Sequence, residues 1–127
     1  MVEKKRPINL DIGTMRLPIT AYVSILHRVS GVVTFFALAI LLWLLDESLS
    51  SQQSFDSLKE TLTQPIARIV VWASLVALLY HLVAGIRHLL MDLGVGEESF
   101  QIGRISAWIA VAVALTLIAA ITFWIFV

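Results

Sequence analysis

The sequence contains no cysteine, and only 14% of its 127 residues are charged. Without cysteine the chain can form no disulfide and hold no thiolate-ligated zinc or iron–sulfur cluster. It also lacks the C-x-x-C-H attachment of a c-type haem. A redox role therefore has to rest on histidine and a non-covalent cofactor. Basic and acidic residues balance at nine each, and zero net charge argues against a nucleic-acid partner. There is no Gly-rich phosphate loop, no H-E-x-x-H and no nucleophile elbow, and no internal repeat. Catalysis on a soluble substrate falls to another subunit.

Apolar residues are what the chain has instead. They make up 59% of the sequence, and the mean hydropathy is +0.91. A soluble domain is about half apolar and one quarter charged, so this chain has too little polar surface for a water-soluble fold of its size. Its length allows one domain at most.

Three uncharged runs organise it: Val29–Leu45, Ile69–Ile86 with His81 as its one ionisable group, and Ile105–Val127 with none. The first extends backwards through the mostly apolar Leu17–Leu26. As helices they are about 26, 27 and 35 Å long, close to the ~30 Å hydrocarbon core. Helix lets a backbone in lipid satisfy its own hydrogen bonds. The expectation is an all-α membrane protein, a single membrane-anchor domain over residues 1–127 with spans at 24–45, 69–88 and 105–127. The first run begins late, lacks a small-residue cleavage site and is followed by two more spans, so it reads as a span and not a signal peptide. Trp43, Trp72, Trp108 and Trp124 lie near run ends, where aromatic belts form. Lys4, Lys5, Arg6, Arg16, Arg28, Arg87 and Arg104 fall on one side of the membrane and only Lys59 and Arg68 on the other. That bias places the N-terminus in the cytoplasm, or in the matrix of an organelle. The outer loop near Asp46–Arg68 reads as polar and too short for a core of its own.

Two polar constellations interrupt the apolar helices. At about 100° per residue, Ser74, Ala77, His81, Ala84, Gly85 and His88 share one face of the second span. Small side chains there admit a neighbouring helix or a flat macrocycle. His81 lies roughly 8 Å inside the inner end of its run. It suits an iron ligand, a hydrogen bond across a helix interface, or proton transport. On the first span Ser24, His27, Arg28, Gly31 and Thr34 share a face. Hydroxyl, imidazole and guanidinium at the membrane boundary suit a quinone head group, because Arg28 stabilises the negative charge that develops when a quinone takes an electron. The same set suits a haem propionate, and Arg28 can equally be a snorkelling anchor. Arg87, His88 and Asp92 read as an interfacial cluster in which Arg87 and Asp92 can pair. Two of the three histidines, for example His27 and His81, can in principle supply both ligands of one iron. The position of His27 nearer the membrane boundary argues against this.

The stretches Arg6-Pro7-Ile8-Asn9-Leu10-Asp11, Ser24-Ile25-Leu26-His27-Arg28-Val29-Ser30-Gly31 and His81-Leu82-Val83-Ala84-Gly85-Ile86-Arg87-His88-Leu89-Leu90-Met91-Asp92-Leu93-Gly94 resemble the signatures of the cytochrome b subunit of succinate dehydrogenase, the larger of its two membrane anchors. The resemblance covers essentially the whole chain. It implies a helical bundle with a second, haem-binding anchor subunit. It also implies attachment of a flavoprotein and an iron–sulfur subunit to the inner face of a bacterial (or mitochondrial) inner membrane. One b-type haem is implied between the anchors, with His81 as one axial ligand and the other from the partner anchor. Ser24 and Arg28 are implied to line a ubiquinone site. Residues His27, Arg28 and His88 are the candidates for contact with the haem propionates. Electrons from succinate oxidation then pass to the quinone pool. A fumarate reductase anchor, or a non-redox assembly or transport subunit whose polar faces only pack helices, are the competing readings.

Overall fold

A computed structural model describes residues 14–96 and 99–127. The motif Arg6–Asp11 and the basic residues Lys4, Lys5 and Arg6 lie outside the described residues. Four helices follow one another: α1 Ile19–Ser50, α2 Gln52–Thr61, α3 Pro65–Asp92 and α4 Phe100–Phe126. No strand occurs among the described residues. α1, α3 and α4 are long and apolar enough to cross a membrane. With 32, 28 and 27 residues they exceed the expected runs. At about 1.5 Å per residue each is longer than a ~30 Å hydrocarbon core, so their ends reach the headgroup layers.

Local chemistry sets the breaks. α1 starts directly after Pro18, which is extended (φ −69°, ψ 157°) and accepts the first amide bond, from Ala21, at 3.0 Å. Ser51 is fully extended, which ends α1, and its hydroxyl accepts from the Ser54 amide at 3.0 Å to cap α2. Pro65 opens α3, where its missing N–H leaves no bond unmade. After α3 the chain turns through Gly94 (φ 81°) and Gly96 (φ 87°), conformations that side-chain-bearing residues rarely adopt. Ser99 then caps α4 by accepting from the Ile102 amide at 3.3 Å. α2 is the element not expected from the polar reading of the outer loop. Its apolar Phe55 and Leu58 stand one turn apart, and Leu58 is buried.

α3 packs against both α1 and α4, and small residues make this possible. Ala77 and Ala84 on α3, Ala37 on α1, and Ala107, Ala110 and Ala114 on α4 are all buried. Polar ties cross the same contacts. The Trp72 indole N–H donates to Thr122 Oγ1 at 2.9 Å, and the Tyr80 hydroxyl donates to the Val23 carbonyl at 3.3 Å. Most large apolar side chains face outward, among them Phe35, Phe36 and Trp124. Lipid or a partner helix, not water, is the surrounding this surface suits.

The arrangement predicts that Ala107→Leu is destabilising. Ala107 is wholly buried beside Ala84, and extra methylenes at such a contact cost about 1–3 kcal/mol. Thermal unfolding of the purified protein in detergent should show a lower midpoint for Ala107→Leu and no change for Ala112→Leu, whose side chain is exposed.

Candidate functional site

The histidines meet where α1 and α3 cross, and two glycines let them. A Cβ on Gly31 of α1 would lie 2.9 Å from Cε1 of His81, and a Cβ on Gly85 of α3 would lie 3.2 Å from Nε2 of His27. Each helix therefore offers a bare stretch of backbone to the imidazole of the other. The result is a stack of three rings. His27 lies over His81 with centroids 4.3 Å apart and planes at 15°, and over His88 at 4.7 Å and 19°. His81 and His88 are two helical turns apart on α3, which opens a gap of the right height for one ring from α1.

Hydrogen bonds set the tautomers. His81 Nδ1 lies 3.1 Å from the His27 carbonyl oxygen, which can only accept, so Nδ1 carries the proton and Nε2 keeps its lone pair. The buried Ser30 reinforces this contact. Its hydroxyl donates to the same carbonyl at 2.9 Å and stands 3.4 Å from His81 Nδ1. His88 Nδ1 likewise donates to the Ala84 carbonyl at 2.7 Å. His27 Nε2 is buried with no hydrogen-bond partner among the described residues, as is Thr34 Oγ1.

Beside the stack an open groove of about 590 Å³ is lined by His27, Arg28, Gly31, Val32, Phe35, Phe36 and His81. Arg28 is exposed at its edge and Ser24, one turn earlier on α1, is half-buried outside its lining. The groove is apolar apart from its imidazoles and guanidinium. A neutral imidazole with its Nδ1 proton held by a carbonyl is the usual state of a histidine that ligates metal through Nε2. The donor set and the cradle at Gly31 thus fit an iron macrocycle seated on His81.

One reading of the sequence holds and one changes. His27 lies in the stack between His81 and His88, with Nε2 against Gly85, so it sits nearer the Asp92 end of α3 than His81 does. That stacking also answers whether the two can ligate one iron. Axial ligands aim their lone pairs at the metal from opposite sides, whereas these rings lie face to face with no room between them. The change concerns Arg87. It is buried and turns to α4, where Nε donates to Ser106 Oγ and Nη2 to the Gly103 carbonyl, both at 3.1 Å. The charge is directed between helices and not to Asp92, which is exposed. Ser30 is the side chain at this site to which the sequence reading gives no role. Its position three residues after His27 was the signal available, since serine at that spacing bonds back to the helix carbonyl.

Residues 2–121 match the model of the succinate dehydrogenase/fumarate reductase transmembrane subunit family. The chain belongs to this family. It is similar to the succinate dehydrogenase cytochrome b556 subunit of Coxiella burnetii, 42% identical over 122 residues that cover 95% of this chain and 97% of the relative. The corresponding subunit of Paracoccus denitrificans is 33% identical over 122 residues, covering 95% and 94%. The succinate dehydrogenase cytochrome b560 subunit of Reclinomonas americana is 37% identical over 99 residues, covering 73% and 68%. Membership of a transmembrane-subunit family, together with three helices of spanning length, makes this a membrane protein.

Proposed function

We propose that this chain is the haem- and quinone-binding membrane anchor of a succinate:quinone oxidoreductase, without enzymatic activity on its own. The carrying observation is His81, whose Nδ1 proton is held by the His27 carbonyl at 3.1 Å, leaving Nε2 as the iron donor. A second anchor subunit supplies the other axial ligand, because His27 lies face to face with His81. Haem b with two imidazole ligands has no open iron position and supplies one-electron transfer when bound.

Ubiquinone is the substrate of this part of the complex. Ser24 donates a hydrogen bond to a quinone carbonyl, and the exposed guanidinium of Arg28 favours the charge that builds on the ring. Arg28 is also the best placed of the three residues considered for the propionates. His88 has its Nδ1 proton committed to Ala84, and His27 Nε2 is buried against Gly85. Electrons arrive from a flavoprotein and an iron–sulfur subunit bound at the inner face of a bacterial inner membrane, or of the mitochondrial one for an organellar protein. The bias of basic residues puts the N-terminus on that face. The whole chain, 1–127, acts as one anchor domain. Because the family description covers fumarate reductases as well, the reverse direction is the second reading. The potential of the native quinone separates the two.

The test is a reduced-minus-oxidised spectrum of the purified assembly with its subunits identified. A b-type haem, together with flavoprotein and iron–sulfur subunits, is the expected result. An intact assembly without haem or quinone overturns the proposal.

A further inference from the structure

We infer that Gly31 and Ser30 are positioning residues that set the rotation of the His81 ring, and through it the ligand field at the iron. The inference rests on His81 being the axial ligand. Three contacts fix the ring. Gly31 forms its seat, since a Cβ there would meet Cε1 at 2.9 Å, closer than real Cβ contacts come, and crowd Nδ1 at 3.3 Å. The His27 carbonyl takes the Nδ1 proton at 3.1 Å. Ser30, with a relative exposure of 8%, donates to that carbonyl at 2.9 Å and stands 3.4 Å from Nδ1. Glycine is a poor helix former, so alanine at position 31 favours the helix itself. The glycine matters because of the ring. A methyl group there pushes the imidazole off α1 and lengthens its bond to the carbonyl. Outer-sphere bonds of this kind orient a ligating histidine and raise its basicity.

Gly85 supplies the matched control. It is also a glycine in the α1–α3 contact, but a Cβ there meets His27 at 3.2 Å and does not approach His81. In the assembled complex, Gly31→Ala is expected to shift the electron paramagnetic resonance g-values of the oxidised low-spin haem, which report axial imidazole orientation. It should also weaken haem retention about ten-fold. Gly85→Ala should shift the g-values less. Ser30→Ala should shift them without loss of assembly, and Ser30→Thr, which restores the hydroxyl, should return them toward the parent values. If Gly31→Ala fails to assemble, the Ser30 pair carries the test. Parent g-values in both Gly31→Ala and Ser30→Ala overturn the inference, as does a Gly85→Ala shift equal to that of Gly31→Ala. His81→Leu distinguishes the two levels. Haem kept in that variant overturns the ligand reading itself. Haem lost there, with unmoved g-values in the Gly31 and Ser30 variants, overturns only the positioning roles.

Discussion

His81→Leu is expected to remove the b-type haem spectrum from the purified complex. Leucine approximates the imidazole in bulk but offers no lone pair, so the proposed iron ligand is removed while the helix contact survives. The surroundings support survival of the fold. His81 is half-buried, and small residues such as Ala77 and Ala84 make the neighbouring α1–α3 contact. The His27 carbonyl is not left without a donor when His81 is lost, because Ser30 keeps its bond to the same oxygen. Single interhelical hydrogen bonds in membranes average about 0.6 kcal/mol, too little to dismantle three packed helices. Succinate oxidation with a water-soluble dye should continue, since the proposed function leaves that chemistry to the soluble subunits. An unchanged spectrum in an assembled His81→Leu complex excludes His81 as ligand.

Arg28→Leu should have the second large effect, a fall in quinone reduction of about a hundred-fold with dye-linked succinate oxidation unchanged. A fixed positive donor aimed at a developing oxyanion is worth about 10²–10³ in rate when it lies in a site shielded from water. Arg28 is exposed at the edge of an otherwise apolar groove, and in the membrane that groove faces lipid or a partner instead of water. Ser24→Ala should act in the same direction but more weakly, by about ten-fold or less, the value of one neutral hydrogen bond. The check is the ratio of quinone to dye activity at equal flavoprotein content. If both activities fell together while the complex stayed assembled, Arg28 would have no specific role toward quinone.

The three spans were legible because uncharged runs of such length have few alternatives, and the α3 face was legible because helical periodicity brings Ser74, Ala77 and Ala84 together. All three are buried. What periodicity cannot give is the register between helices. Gly31 and Gly85 each look like a small residue on a small face. Only the crossing of α1 and α3 turns them into paired seats for His81 and His27. The start of α1 at Ile19, ahead of the expected span, was hidden for a related reason. A helix start is decided by local backbone, here the extended Pro18, and the uncharged run begins later than the helix does. Arg87 shows the limit of reading charges by proximity in sequence. Asp92 is a nearby charge of opposite sign, yet the glycine at 103 and the serine at 106 offer a carbonyl and a hydroxyl on the helix against which α3 packs. α2 was hidden by its composition. Ser51 with Ser54 and the one-turn spacing of Phe55 and Leu58 do mark a capped amphipathic helix, but ten mostly polar residues between two spans also read as loop.

The most direct test of the central claim, that His81 Nε2 holds the haem iron, is ligand rescue. In the complex carrying His81→Gly, a cavity is left on α3 beside Gly31, and free imidazole can enter it. The purified variant should show little or no low-spin b-type haem, and added imidazole should restore the signal. A full b-type spectrum before imidazole is added would contradict the claim.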